Sequence, residues 1–218
     1  MQLAALAAVV SYFWRDVQQV TTGSIGAVRR GDYNDRWFKL AVAIVLATIP
    51  ICIAGLALSS TLNSCNSPMR GLMVIGISCL VMAVLLAAAE LRARHTRDVS
   101  QMRLRDALIV GVAQIGALIP GVSRSGSTLT AALFLNFKRE EAARFSFLLG
   151  LPAIALAGLK ELWVLLHADL PAHAWPHLLF GLVVASVSAF FAIWGLMKFL
   201  ERFSTWPFVI YRALLGVF

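Results

Sequence analysis

Residues 107–137 read ALIVGVAQIGALIPGVSRSGSTLTAALFLNF: an apolar piece at 107–119, a polar turn at 120–128 and a second apolar piece at 129–137. The pieces hold 13 and nine residues. A helix needs about 20 residues to cross the hydrocarbon core, and shorter apolar segments are more often re-entrant or buried. The stretch therefore predicts a re-entrant helix pair over about residues 107–137. The alternative is two full spans with Ser123 and Arg124 outside, which needs longer pieces than these.

Outward from this pair the chain is a series of apolar runs. Residues 38–58, 72–89, 145–166 and 178–200 are each long enough to span or nearly so, while 208–218 is a short apolar end. Pro50 and Pro152 inside two of the runs are tolerated, as prolines in membrane helices are. The connectors separate by charge. Residues 15–37 and 90–105 are basic, the latter with Arg92, Arg94, Arg97, Arg103 and Arg105. The connector at 59–71 has Arg70 as its only basic residue, and 167–177 has no Lys or Arg. Basic loops mark the cytoplasmic side, so the first two are expected inside and the last two outside. Gly23-Ser24 and Gly31-Asp32 predict turns within 15–37. Trp14, Trp37, Trp163, Trp175 and Trp206 fall at the expected span edges, where indoles settle.

Composition bounds the class. Of 218 residues, 60% are hydrophobic and 14% are charged, with a mean hydropathy of +0.80. Soluble domains carry about 25% charge. The expected fold class is an all-α polytopic membrane protein. The net charge of +8 does not signal nucleic acid, because the basic residues sit in gaps between apolar runs and not on a soluble basic stripe. Cys52, Cys65 and Cys79 have no CxxC or CxxH spacing, so neither a metal framework nor a disulfide scaffold is expected. No basic n-region or cleavage site precedes the first apolar run, so no signal peptide is predicted. Residues 1–14 are too short to span, as though the chain starts partway through a helix.

The chemistry concentrates in the turn Pro120-Gly121-Val122-Ser123-Arg124-Ser125-Gly126-Ser127-Thr128. An arginine at membrane depth needs a partner or a wet cavity, and its guanidinium matches phosphate oxygens as a bidentate fork. Gly121 and Gly126 allow backbone amides to approach an anion. Ser123, Ser125, Ser127 and Thr128 add hydroxyls, and the helix expected to begin near Thr128 adds its orphan N–H groups. The turn is thus a candidate phosphate cradle, against the plainer reading of a cytoplasmic Ser/Gly loop with one positive-inside arginine. A serine nucleophile would need a base within reach, but His95, His167, His173 and His177 are all expected in solvated loops. Gln114 is either an amide hydrogen-bonded to neighbouring helices or a group behind the turn that orients it, since polar groups at depth pair. Glu140 and Glu141 are expected to complement a helix dipole.

Gln114 with the turn at 120–128 resembles the second signature of the undecaprenyl-diphosphate phosphatases, the bacitracin-resistance type. Glu141-Ala142-Ala143-Arg144-Phe145-Ser146-Phe147-Leu148-Leu149, followed by Pro152, is similar to the family's next block. Trp206-Pro207-Phe208-Val209-Ile210-Tyr211-Arg212 resembles its C-terminal stretch. The resemblance implies a multi-pass enzyme of the bacterial inner membrane. It would hydrolyse undecaprenyl diphosphate to the monophosphate, recycling a lipid carrier for cell-wall synthesis with a divalent cation, Mg²⁺ or Ca²⁺. The implied fold is an inverted-repeat bundle with re-entrant helix pairs. Thr48-Ile49-Pro50 with Gly55, and Gly150-Leu151-Pro152 with Gly158, are a faint internal echo of such a repeat.

By the same resemblance Arg124 and Ser123 are the catalytic positions. Gly121, Ser123, Arg124, Ser125, Gly126, Ser127 and Thr128 would bind the phosphates of a polyprenyl diphosphate lipid. The residues that would hold the metal stay unassigned, and a homodimer stays open. The family's first signature, two glutamates four apart and then Pro-Val-Ser-Ser-Thr-Gly-His, has no counterpart, since no glutamate precedes Glu90 and no histidine precedes His95. The expectation is a single membrane domain over 1–218, truncated at its N-terminus relative to the family. Two alternatives accompany the phosphatase: a carrier or flippase for a phosphorylated lipid, and an inert truncated remnant.

Overall fold

The structure, a computed structural model, describes residues 2–58, 71–167 and 174–217. These residues form nine α-helices and no strand: α1 Gln2–Tyr12, α2 Trp14–Arg30, α3 Arg36–Ala57, α4 Leu72–Arg92, α5 Leu104–Ala113, α6 Arg124–Phe134, α7 Arg139–Leu166, α8 Ala174–Arg202 and α9 Trp206–Val217. Short 3₁₀ turns occupy Val99–Gln101 and Gln114–Leu118. Helices α3, α4, α7 and α8 are long and apolar enough to cross a membrane. Their outer faces carry bare leucines; Leu56 is 77% and Leu72 87% exposed. Water would not tolerate apolar faces of this extent, and with every backbone group of a span paired inside its own helix the bilayer does. The chain is a multi-pass membrane protein.

The hairpin expectation holds. Helices α5 and α6 have 10 and 11 residues, half of what a span needs. Their outer ends are stitched together: the Thr96 and Arg97 N–H groups both donate to the Asn136 carbonyl at 3.0 Å, and the Lys138 N–H donates to the Arg97 carbonyl at 2.9 Å. A chain whose entry and exit share backbone hydrogen bonds must enter and leave on one side. The Asn136 side chain adds a bond from the Arg94 N–H at 2.9 Å. Asp98 pairs with Lys138 at 2.8 Å and, by that hydrogen bond first, raises the ammonium's pKa.

The hairpin is wedged between α3, α4 and α7. Against α3 the approach is close, since a Cβ on Gly111 would fall 2.3 Å from the Ala47 carbonyl oxygen. Helix α9 packs along α4, and α8 lies on α1 and α7. One hydrophobic cluster, with Phe137, Phe145, Leu133 and Leu149 fully buried, joins these elements.

Several details differ from the sequence reading. Gly23-Ser24 makes no turn, because α2 runs unbroken to Arg30 and reverses only at Gly31, whose φ is +69°. The Ser24 hydroxyl bonds back to the Val20 carbonyl and reaches the Trp37 carbonyl at 3.2 Å. A Cβ at Gly23 would meet the Trp37 side chain at 2.8 Å, so that glycine serves helix packing. Helix α6 begins at Arg124, four positions before the expected start at Thr128. His177 lies within α8, and both ring nitrogens of His95 are buried, so these two are not solvated loop residues. The expectations for 59–70, with Cys65, and for 168–173, with His173, fall outside the described residues.

On the side where the hairpin enters, Glu90, 7% exposed, lies in the last turn of α4 and ties three elements together. Its carboxylate accepts from Arg139 Nε at 2.8 Å and from Arg139 Nη2, and from the Thr205 hydroxyl at 2.9 Å. A second pair joins Arg144 of α7 to Asp16 of α2. Removing one partner of a buried pair leaves an uncompensated charge. Arg139→Met is therefore expected to destabilise the fold by roughly 3 kcal/mol, read as a lowered unfolding midpoint in detergent, while Arg36→Met, at an exposed cation, leaves it unchanged.

Candidate functional site

Between the hairpin's arms the chain turns at Pro120-Gly121. Gly121 has φ +92°, a conformation that glycine adopts without strain. A Cβ there would also strike the Ile75 carbonyl oxygen at 2.7 Å, so the turn is seated against α4. Ser123 follows in an extended conformation and caps α6, its hydroxyl accepting from the Gly126 N–H at 3.2 Å, the role for which serine is preferred at a helix start. The other first-turn amides have no intrahelical carbonyl to meet, so the cap points donors and the positive dipole end outward.

The hydroxyls divide by what they do. Ser123 and Ser125 are exposed, with their Oγ atoms 3.2 Å apart. Ser127 and Thr128 are buried and bond back to the Arg124 carbonyl at 3.0 and 2.9 Å. Thr128 also shares a hydrogen bond with Ser146 of α7, and the Ser146 hydroxyl reaches the Ser125 carbonyl at 3.4 Å. Ser123 and Ser125 are thus exposed to a ligand, whereas Ser127 braces the first turn of α6 from within and Thr128 with Ser146 fixes it against α7.

Two guanidinium groups flank this turn. Arg124 reaches to α7, where a Cβ on Gly150 would lie 3.1 Å from its Nη2. Arg212 of α9 lies against the turn itself, where a Cβ on Gly126 would lie 2.6 Å from its Nη2. Neither has an ion-pair partner among the described residues, and Arg212 Nη1 is buried without a hydrogen bond. Two cavities meet the turn from opposite sides. One, of about 240 Å³, is lined by Arg124, Ser125, Ser146, Phe147 and Gly150 with α1 and α8 residues. The other, of about 170 Å³, is lined by Ser123, Ser125, Gly126, Ser146, Phe147 and Arg212 with leucines of α4, α6 and α8. A larger cavity of about 590 Å³ near the α1–α2 junction is lined by Asp16, Glu140, Glu141 and Glu201 with Arg15 and Arg144, so carboxylates outnumber cations there and Arg144 is already paired.

The turn residues named from sequence are thus brought together, with Ser123, Arg124, Ser125 and Gly126 at the cavities and Gly121, Ser127 and Thr128 shaping the backbone. Gln114 is fully buried where α5 tightens into the 3₁₀ turn, and its amide makes no hydrogen bond to the turn. Glu141 does serve near the start of α7, but by accepting from the Val99 N–H at 3.2 Å and pairing with Arg144 at 3.5 Å. Arg212 and Ser146 escaped site assignment. The signal for Arg212 was present: it is the one charged residue in α9, and a lone charge in an apolar segment marks a site.

A cation is the poorest fit. No carboxylate or imidazole lines either cavity at the turn, and the described residues contain no group of three or more His, Cys, Asp or Glu able to hold a metal. What the arrangement offers is anion binding: two guanidinium groups without an ion-pair partner among the described residues, two exposed hydroxyls and a helix N-terminus.

The family profile described as "Bacitracin resistance protein BacA" matches residues 1–218. "Undecaprenyl-diphosphatase 2" of Mesorhizobium japonicum is 72% identical over 217 residues, which are 100% of this chain and 82% of that protein. "Undecaprenyl-diphosphatase" of Gloeobacter violaceus is 48% identical over 99% of this chain and 74% of its own length. That of Synechococcus elongatus is 46% identical, with 99% and 75% covered.

Gly126→Ala places a methyl group on Arg212 and is expected to weaken pyrophosphate binding about tenfold, since hydrogen bonds to charged groups carry about 1.5–3 kcal/mol. A ³¹P NMR titration of the detergent-solubilised chain measures this. Gly181→Ala, with nothing within 4 Å of its added Cβ, should bind as the parent does.

Proposed function

The chain belongs to the BacA family of bacitracin resistance proteins, and on that footing we propose that the two-arginine turn is where it hydrolyses undecaprenyl diphosphate. The reaction is that of an undecaprenyl-diphosphatase, the name carried by relatives at 72% and 48% identity. Water adds to the terminal phosphorus, the bond from that phosphorus to the bridging oxygen breaks, and inorganic phosphate and the lipid monophosphate leave. The observation that carries the assignment is the pair of guanidinium groups, Arg124 and Arg212, on either side of a serine-capped helix start. A diphosphate has two anionic centres, and negative charge builds on the bridging oxygen as its bond breaks. Fixed donors aimed at that charge are the largest single contribution to many such rate enhancements.

Each residue then has a task. Arg124 and Arg212 neutralise phosphate oxygens, and Arg can do so with a bidentate fork that Lys lacks. The Ser123 and Ser125 hydroxyls donate to the same oxygens. Thr128 and Ser146 hold the turn in register, so the donors pay little reorganisation when substrate arrives. Neither cavity at the turn is lined by a carboxylate or imidazole among the described residues, so the turn's part is binding and charge stabilisation, and the serines there have no base beside them to make them nucleophiles. The described residues form no divalent-cation site at the turn.

The membrane in question is proposed to be the bacterial cytoplasmic membrane. Bacterial relatives support this, as do the basic connectors on the side where the hairpin enters. Loss of the lipid-linked diphosphate to hydrolysis returns the carrier for cell-wall assembly, which is the sense in which a bacitracin-resistance family would act.

Phosphate release from a polyprenyl diphosphate, followed in Mg²⁺, Ca²⁺ and EDTA, tests the assignment. Arg124→Ala is expected to lower kcat by about 10²–10³, the cost of removing one preorganised charge-stabilising donor, and Arg124→Lys should recover only a small part. An Arg124→Ala chain as active as the parent would exclude the turn as the reacting site.

A further inference from the structure

The two cavities at the turn are not equivalent, and the difference bears on where the lipid's tail goes. The Arg212 cavity is lined by polar groups, Ser123, Ser125, Gly126 and Arg212, together with apolar ones, Leu86 of α4, Leu129 of α6, Leu196 and Leu200 of α8 and Phe208 of α9. It lies where α8, which packs on α1 and α7, faces the α4–α9 pair. Below it the gap is closed by the edge-on contact of Phe199 with Phe208, centroids 5.7 Å apart, and by the Thr205–Glu90 hydrogen bond.

The competing route starts at Arg124 and runs outward between α1, α7 and α8, where a second apolar cavity of about 310 Å³ is lined by Leu3, Leu165, Leu178 and Leu182. That route is blocked. The Leu3 side chain lies over Gly158, so close that a Cβ there would meet its Cδ2 at 3.1 Å. Gly158 stands between Ile154, the last α7 residue of the Arg124 cavity, and Glu161, the first of the outer one.

We propose that the Arg212 cavity is the isoprenoid subsite, holding the lipid-linked phosphate against Arg212 and the first isoprene units between α8 and the α4–α9 pair. The terminal phosphate then falls on the Arg124 side of the Ser125–Ser146 partition. This assignment rests on the diphosphatase reading of the turn. Its physical basis is an amphiphilic cavity for an amphiphilic ligand. Arg212 Nη1, buried and without a partner, supplies the anion contact, and five apolar side chains supply a surface from which water is excluded at a gain that grows with buried area.

Photocrosslinking tests the subsite without requiring turnover. The full chain in detergent is irradiated with a farnesyl diphosphate analogue whose last isoprene carries a benzophenone, and labelled peptides are read by mass spectrometry. Label on α4, α8 residues 191–200 or α9 that excess farnesyl diphosphate competes away is the expected result. Leu196→Trp, which fills the cavity, should cut that label about tenfold, as overpacking a filled site does, while pyrophosphate binding by ³¹P NMR stays intact. Competable label on Leu3, Leu165 or residues 178–182 would overturn the subsite and leave the diphosphatase reading standing. Absence of competable label with pyrophosphate still bound would overturn it in the same way. Failure of the parent chain to bind either probe would remove both.

Discussion

A guanidinium group within a bilayer costs at least about 2.5 kcal/mol, and this protein sets two, Arg124 and Arg212, at the turn between two helices too short to span, with no carboxylate partner among the described residues. The rest of the structure is arranged around that expense. The charge is tolerable because the turn is walled by α4, α7, α8 and α9, with cavities on both sides. It is useful because an anion completes it. A pair of half-buried cations without nearby counter-charge is mutually repulsive until a diphosphate arrives, and binding then recovers what the empty site lacks. Elsewhere the described chain pairs its interior charges: Glu90 with Arg139, Asp106 with Arg97, and Asp16 with Arg144.

Carrying such a turn to membrane depth dictates the hairpin. A single span would pass the turn at the middle of a helix, where a serine cap and free amides cannot exist. Two short helices meeting tip to tip expose a helix start there, and the backbone bonds among Thr96, Arg97, Asn136 and Lys138 close the entry so that no polar backbone is left to lipid. The turn is then fixed from both sides: Gly121 against α4, and Thr128 with Ser146 against α7. Rigid support of this kind converts a flexible serine-rich loop into preorganised donors.

Much of this was legible in the residues. Segment length alone separated the spans from the hairpin, and the density of hydroxyls around Arg124 marked the turn. The start of α6 was misplaced by four residues because serine, glycine and threonine read as loop formers, while the tertiary seat on α4 and α7 lets Arg124–Ser127 join the helix. Gly23 misled for a related reason: a small residue that lets α2 lie on Trp37 looks, in sequence, like a turn. Ser146 was beyond local pattern, and the lone charge of Arg212 marked a site without saying which turn it would meet. Gly126 and Arg212 are brought together only by α4 packing on both the hairpin and α9, a contact between distant segments that no periodicity reports. Gln114 illustrates the converse, a residue with the right character for the site whose buried amide makes no hydrogen bond to the turn.

The most direct test of the account is a ¹⁵N–³¹P dipolar-recoupling measurement on the arginine-labelled chain in lipid bilayers with bound pyrophosphate. The account predicts contacts from two guanidinium groups to phosphorus, one vanishing in Arg124→Lys and the other in Arg212→Lys. Contacts that survive both substitutions, or none in the parent chain, would contradict a two-arginine diphosphate site.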